Sequence, residues 1–118
     1  MNQVLDLLEV SSDLPTIYCD MDGVLCNFMK GADKAVGGSF VTFEKEIRWN
    51  AVNQIKGFWP NLEWMPNAQR LYKFIIKYDA HILSAFTARD PTSKIGKMKW
   101  LKKNTKFRLV RIRLLLFL

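Results

Sequence analysis

Residues 16–28 spell TIYCDMDGVLCNF, and this stretch decides the fold. The apolar run at 17–19 predicts a short buried strand, which ends where two carboxylates, Asp20 and Asp22, follow. Residues i and i+2 of an extended segment share a face, so both carboxylates are expected to point into one space above the sheet edge. Such a pair suits a hard cation such as Mg²⁺, which takes oxygen ligands. Gly23 permits the sharp turn that follows.

Residues 20–25 resemble the first motif of the haloacid dehalogenase (HAD) superfamily, Asp-x-Asp-Gly-Val-Leu. The resemblance implies an α/β fold, with a Rossmann-like core, a parallel sheet and a small helical cap inserted after the first strand. It implies that Asp20 attacks the phosphorus of a phosphomonoester to form an aspartyl phosphate, and that Asp22 serves as acid and then base. It also implies Mg²⁺ at Asp20 and Asp22. The alternative is an acidic turn that merely closes a strand, but the apolar flanks favour the motif.

Composition bounds the class of protein. The chain has 118 residues, 49% of them hydrophobic and 25% charged, which predicts one globular domain. No apolar run approaches the roughly 20 residues that span a bilayer, so no membrane partner is expected. Residues 1–10 lack a basic leader, which predicts a cytoplasmic protein. Cys19 and Cys26 are too few for a disulfide framework and are expected to be reduced thiols.

The net charge of +7 is unevenly distributed. Residues 91–118 carry nine Lys or Arg and no acid, whereas the first 90 residues total −2. Such a segment could attract nucleic acid or another polyanion. Apolar residues such as Ile95 and Trp100 lie among these cations, which favours a packed helix whose lysines form its solvent-exposed face. Nucleic acid is therefore not the expected partner.

The pattern of apolar residues and turn signals predicts a βαβ order. Helices are predicted over 42–55, 67–78 and 91–103, and strands after the first over 80–83 and 107–112. Together with the resemblance, this order divides the chain into an N-terminal tail (1–13), a core (14–28 and 67–118) and a small helical cap (29–66).

The cap ends in the aromatic stretch GFWPNLEWMP, residues 57–66. Phe58 and Trp59 are either part of the cap's own core or a surface on which a nucleobase stacks. This stretch and the residues after it resemble the 5′(3′)-deoxyribonucleotidase branch of the superfamily, including its phage-encoded relatives. That resemblance implies a phosphorylated small-molecule substrate, and within this branch a nucleotide.

Two later segments are expected to complete the phosphate site. Ser84 closes the predicted second strand, and parallel strands joined by a right-handed crossover bring their ends together, so Ser84 should lie beside Asp20. The superfamily's second motif implies that this hydroxyl binds the phosphoryl group, with Thr87 as a competitor. Its third motif implies a lysine at the next helix, Lys97 or, one turn earlier, Lys94.

The resemblance stops near residue 112. The superfamily's fourth motif is an acidic pair that completes the Mg²⁺ shell, yet this chain has no Asp or Glu beyond Asp90. We therefore expect a C-terminally truncated form with impaired metal binding, and an open sheet edge that favours a homodimer.

The leading hypothesis is a Mg²⁺-dependent 5′-nucleotidase with Asp20, Asp22, Ser84 and Lys97 as catalytic residues. The alternatives are a non-catalytic phosphate-binding or assembly remnant, and a polyanion-binding protein that uses residues 94–113.

Overall fold

The protein is a mixed α/β structure, seen in a computed structural model that describes residues 15–117. A three-stranded sheet has the order β1-β2-β3, and both strand pairs are parallel. The elements along the chain are β1 (Tyr18–Cys19), α1 (Phe28–Val36), α2 (Lys45–Asn53), α3 (Ala68–Ile75), β2 (His81–Thr87), α4 (Ser93–Asn104) and β3 (Ile112–Phe117). The predicted α/β class with a parallel sheet is confirmed. The tail predicted over 1–13 lies outside the described residues.

The register of the sheet sets where polar side chains emerge. Cys19 of β1 pairs with Ile82 of β2, and Ser84 of β2 pairs with Leu114 of β3. Since parallel strands run in one direction, the residue after Cys19 and the second residue after Ile82 reach the same edge of the sheet. Asp20 and Ser84 are these two residues.

Two of the predicted helices are confirmed. α3 continues as a 3₁₀ turn, Ile76–Tyr78, so the helical stretch ends where it was predicted to end. α4 covers the helix predicted over 91–103. The helix predicted over 42–55 is shorter, because α2 begins after Glu44. Thr42 is part of a separate 3₁₀ turn, in which its hydroxyl donates to the carbonyl of Ser39 (2.7 Å).

Helix α1 lies within the predicted helical cap but is not among the helices predicted from the sequence, and it contains Gly31. Asn27 caps the helix by accepting a hydrogen bond from the Lys30 amide (3.2 Å), and Gly37 ends it in the left-handed conformation (φ 73°). A methyl group on Gly31 would lie 2.4 Å from a side-chain carbon of Leu62. Close packing therefore explains a glycine inside this helix.

The second and third strands differ from the prediction. β2 runs to Thr87, so Ser84 lies within the strand rather than at its end. The strand predicted over 107–112 is wrong, because β3 starts at Ile112. The segment before it forms the 3₁₀ turn Leu109–Arg111, where Arg111 Nε donates to Asp79 Oδ1 (3.2 Å). The apolar residues after this turn pair with β2 and take the place of the predicted strand.

One hydrophobic core joins the sheet to the helices. It contains Ile82 from β2 and Trp100 from α4 together with Phe40 and Val52, which lie within the predicted cap segment. Residues 29–66 thus pack against the same core as the sheet. No helix within residues 15–117 is long and apolar enough to cross a bilayer.

The outer edge of β3 is apolar and exposed. Leu115, Leu116 and Phe117 are 57%, 51% and 69% exposed, and in residues 15–117 no strand pairs with this edge. Edge strands of this kind favour pairing with another chain, so dimerisation stays a prediction.

Candidate functional site

The turn after β1 positions the two acidic residues. The carbonyl of Met21 accepts hydrogen bonds from the amides of Val24, Leu25 and Cys26 (3.1, 2.8 and 3.0 Å). This tight turn requires a positive φ of 76° at Gly23, which glycine adopts without strain. The fully buried side chains of Met21 and Leu25 anchor the turn in the core. As a result the carboxylates on either side of Met21 are held next to the sheet edge.

Asp20 and Ser84 are directly hydrogen-bonded. The Ser84 hydroxyl donates to Asp20 Oδ1 (2.8 Å), and the same oxygen accepts from the amide of Met21 (2.7 Å). Ser84 is 6% exposed, whereas Asp20 is exposed to solvent. The arrangement fixes one carboxylate oxygen and leaves the side chain accessible to an incoming ligand.

Lys97 connects the remaining groups. Its ammonium donates to Asp22 Oδ2 (2.7 Å), to Ser84 Oγ (3.3 Å) and to the carbonyl of Ala85. The residue is 1% exposed, and its ammonium lies 5.2 Å from the centre of the Trp59 ring. A buried ammonium with several oxygen partners is held rigidly in one place. Four polar side chains, from the turn after β1, from β2 and from α4, therefore form one hydrogen-bonded cluster: Asp20, Asp22, Ser84 and Lys97.

The Trp59 ring that contacts Lys97 is itself fixed by a buried carboxylate. Trp59 Nε1 donates to Asp90 Oδ2 (2.7 Å), and Asp90 is 1% exposed. The amide and hydroxyl of Thr92 both donate to the other oxygen of Asp90 (2.9 and 2.7 Å). Gly96 allows α4 to approach, since a methyl group there would lie 2.5 Å from Trp59 Cβ. The Trp59 ring is therefore held in one orientation.

A cavity of about 220 Å³ opens beside the cluster. Asp22 and Lys97 supply its polar wall, and Trp59, Trp49 and Phe28 supply apolar wall. Ala85, Phe86, Thr87 and Phe117 complete the lining. An ion pair thus lies opposite aromatic rings, so the cavity has one polar side and one apolar side.

The structure brings together the four residues predicted as catalytic, Asp20, Asp22, Ser84 and Lys97. Of the predicted substrate contacts, Trp59 and Thr87 line the cavity. Phe58 is 8% exposed and lines a separate cavity with Gly96 and Lys99.

The two candidate lysines occupy different places. The Lys94 ammonium lies 5.3 Å from the centre of the Phe86 ring, and Lys94 lines a groove away from the cluster. The geometry therefore favours Lys97 over Lys94.

Sequence reasoning missed several residues of the cavity wall. Phe28, Trp49, Phe86 and Phe117 line it, and Asp90 orients Trp59. Phe28 stacks on Trp59 with ring centres 5.2 Å apart. The sequence offered only a weak signal for these aromatic residues, because an aromatic residue on an amphipathic helix or on a strand usually belongs to the core.

The acidic residues fit a cation only in part. Among residues 15–117, no three His, Cys, Asp or Glu side chains gather at one point. Asp20 and Asp22 offer carboxylate oxygens, which is the donor type that Mg²⁺ prefers. Mg²⁺ is often held by one or two carboxylates, with water and substrate phosphate oxygens filling its other positions. Asp22 Oδ2 accepts from Lys97 and Asp22 Oδ1 accepts from the Cys26 thiol. The Asp20 carboxylate and the backbone carbonyl of Asp22 are therefore the oxygens that would hold Mg²⁺ when a phosphate shares the cation.

Both cysteines are buried free thiols. Burial, reinforced by the negative charge of Asp20, raises the pKa of Cys19 to about 11. Burial and then the charge of Asp22 raise the pKa of Cys26 still further, and its thiol donates to Asp22 Oδ1 (3.4 Å). Since thiolates are the reactive form, neither cysteine is suited to act as a nucleophile near neutral pH.

Comparisons with known proteins add no family assignment. No protein-family model matches the chain, and no curated protein matches it significantly.

Proposed function

We propose that this protein is a Mg²⁺-dependent phosphomonoester hydrolase of the HAD type that acts on nucleoside monophosphates through an aspartyl phosphate. The observation that carries the proposal is the position of Lys97. Its buried ammonium contacts Asp22 and Ser84, and Ser84 in turn donates to Asp20. A nucleophile, a phosphate donor pair and a second carboxylate are thus within one hydrogen-bonded cluster, as phosphoryl transfer requires.

Each residue then has a defined role. Asp20 attacks phosphorus with a carboxylate oxygen. The leaving alkoxide takes a proton from Asp22, which would carry that proton in the substrate complex, where Lys97 exchanges its ion pair with Asp22 for the phosphate. Water next attacks the phosphorus of the aspartyl phosphate, and Asp22 accepts the proton from that water. In this structure Asp20 accepts the Ser84 hydrogen, and Asp22 accepts one hydrogen of Lys97. A bound phosphate would replace these two carboxylates as acceptors, so that Ser84 and Lys97 donate to the phosphoryl oxygens, where negative charge is concentrated. Mg²⁺ held by the Asp20 carboxylate and the backbone carbonyl of Asp22 would neutralise part of that charge and leave the Asp22 side chain for proton transfer.

The aromatic lining supports a nucleotide rather than a small aliphatic phosphate. Trp49 and Phe28, which are only partly buried, lie on the apolar side of the cavity that begins at Asp22 and Lys97. Trp59 lines the same side but is 3% exposed, and its ring is stacked by Phe28. Stacking a base on an aromatic ring contributes about 1–3 kcal/mol in single-stranded nucleic-acid complexes. A nucleoside would therefore gain binding energy from a wall that a sugar phosphate leaves unused.

The test is phosphate release from a panel of nucleoside monophosphates, with and without Mg²⁺, by the wild type and by Asp20→Asn. Glu46→Gln is the matched control, since it also neutralises one carboxylate, on an exposed residue of α2 that lines neither this cavity nor its neighbours. We expect Mg²⁺-dependent turnover that Asp20→Asn abolishes and Glu46→Gln leaves intact. Turnover that ignores Mg²⁺ or the loss of Asp20 would reject the proposal.

The principal alternative is phosphate binding without turnover, which would use the same Ser84 and Lys97 contacts. It predicts that wild type and Asp20→Asn bind inorganic phosphate comparably while neither releases phosphate from any nucleotide.

A further inference from the structure

A second, larger cavity adjoins the one described above. It has a volume of about 630 Å³ and shares Trp49, Thr87 and Phe117 with the smaller cavity. Because three lining residues are common to both, the two spaces meet at the ends of β2 and β3. A ligand whose phosphate lies at Lys97 could extend directly into the larger space.

The lining of this second cavity is basic. Lys45, Arg48 and Arg89 contribute to it, and no acidic residue does. Within residues 15–117, none of the three cations forms an ion pair. Three unpaired cations around a concave surface favour an anionic ligand.

Arg48 is held in place by backbone carbonyls and an aromatic ring. Arg48 Nη1 donates to the carbonyls of Val41 and Phe43 (3.3 Å each), and the guanidinium lies 5.0 Å from the centre of the Phe40 ring. Its Nε is buried and has no hydrogen-bond partner among the described residues. The guanidinium is thus oriented before a ligand arrives.

The segment that contains Arg89, on the other side of the basic cavity, is hydrogen-bonded to α2. Asn53 Nδ2 in α2 donates to the carbonyl of Arg89 (2.9 Å), and the amide of Arg89 donates to Thr87 Oγ1 (3.1 Å). The segment that carries Arg89 is therefore anchored to α2, which carries Lys45 and Arg48. Thr87, at the end of β2, lines both cavities, so the basic cavity begins where the strand ends.

We propose that this basic cavity, lined by Lys45, Arg48 and Arg89, binds a second phosphate group on the same substrate. The inference rests on the proposed hydrolase function and narrows its substrate class to nucleotides that carry a further phosphate beyond the one removed. Trp49 and Phe117, which border both cavities, would contact the nucleoside between the two phosphates.

The experiment compares three substrates: a nucleoside 5′-monophosphate, the corresponding 3′,5′-bisphosphate, and a 5′-phosphorylated dinucleotide. The variant is the pair Lys45→Gln and Arg89→Gln. The matched control is Lys73→Gln with Lys77→Gln, which removes two exposed cations from α3 and its 3₁₀ extension, outside both cavities. kcat/KM for phosphate release is measured for each combination.

We expect at least one of the two substrates with a second phosphate group to exceed the monophosphate by tenfold or more in kcat/KM. The Lys45/Arg89 variant should lose that advantage, while its monophosphate turnover changes less than threefold and the control keeps the advantage. The preferred substrate reveals whether a terminal phosphate or a phosphodiester occupies the cavity. Equal kcat/KM for all three substrates, or an equal loss for all three in the variant, would overturn the proposal.

A binding measurement separates this inference from the hydrolase assignment. Calorimetric titration of Asp20→Asn with the 3′,5′-bisphosphate and the 5′-phosphorylated dinucleotide should show tenfold weaker binding of the preferred ligand when Lys45 and Arg89 are replaced. If no substrate is hydrolysed but this loss is seen, the hydrolase function fails and the basic site stands. If hydrolysis of the monophosphate is seen and the two substitutions change the binding of neither ligand, the basic site fails alone.

Discussion

Replacement of Lys97 by methionine tests the cluster at its most connected point. The change removes the ammonium but keeps a side chain of similar length against Trp59. Loss of one preorganised donor to a developing charge typically lowers kcat about 10²–10³-fold, or roughly 3–4 kcal/mol in activation free energy. We expect a decrease of that size in phosphate release.

The effect on stability should be smaller than the effect on activity. Hydrogen bonds to charged groups contribute about 1.5–3 kcal/mol each, but a neutral side chain avoids the cost of burying an ammonium. The Asp22 side chain is 35% exposed, so water can replace the lost partner. We expect a net loss of about 1–2 kcal/mol, which lowers Tm by roughly 4–8 °C for a domain of this size. The variant therefore stays folded at 25 °C, where activity is measured.

Lys94→Met is the matched control, because Lys94 belongs to the same helix and its ammonium lies over Phe86 rather than in the cluster. Steady-state phosphate release and thermal melting are measured on the wild type and both variants. The reasoning is refuted if Lys97→Met keeps activity within tenfold of the wild type, or if Lys94→Met loses as much.

Three further predictions concern neighbouring residues. Ser84→Ala should lower kcat about 10- to 100-fold with little change in Tm, since the hydroxyl donates to Asp20; an unchanged kcat would contradict its role. Gly96→Ala should lower the free energy of unfolding by about 1–3 kcal/mol in urea titrations, because the new methyl group would lie 2.5 Å from Trp59 Cβ; equal or higher stability would show that this contact relaxes freely. The pKa of Cys19 rises from 9.0 to about 11 on folding, so its stabilising contribution is complete below pH 9 and is lost as pH approaches 11. Cys19→Ala should reduce this alkaline loss, and an identical pH profile in both proteins would contradict the assignment.

The order of chemistry-bearing residues along the chain could be predicted because parallel strands obey a simple geometry. An acidic residue after β1 and a serine on β2 must reach one edge of the sheet whichever loops join them. The exact end of β2 was not needed for this result. Ser84 lies inside the strand, yet it still faces Asp20.

Features that depend on tertiary packing could not be predicted. Helix α1 contains Gly31, whose local preference argues against a helix, but the contact with Leu62 leaves no room for a side chain there. β3 starts later than predicted because residues 112–117 are the ones that pair with β2. Local sequence propensities do not report contacts between residues that are distant in the chain, so neither feature could be predicted.

The sequence also did not predict which aromatic residue lines the cavity. Phe58 and Trp59 are adjacent in sequence, and composition gave no reason to separate them. Their surroundings differ, since Trp59 lines the cavity beside Lys97 and is fixed by Asp90, whereas Phe58 packs against Phe28 and lines only the neighbouring cavity. Which aromatic residue meets a ligand depends on how the segment is turned against α4.

The most direct test of the central claim is to identify the phosphorylated residue. The protein is mixed with a nucleoside monophosphate and Mg²⁺, quenched in acid during turnover, digested, and analysed by mass spectrometry. The account predicts one phosphoryl group on the peptide that contains Asp20, and none in Asp20→Asn. Turnover with no covalent phosphate on that peptide, or with phosphate on a different residue, would contradict it.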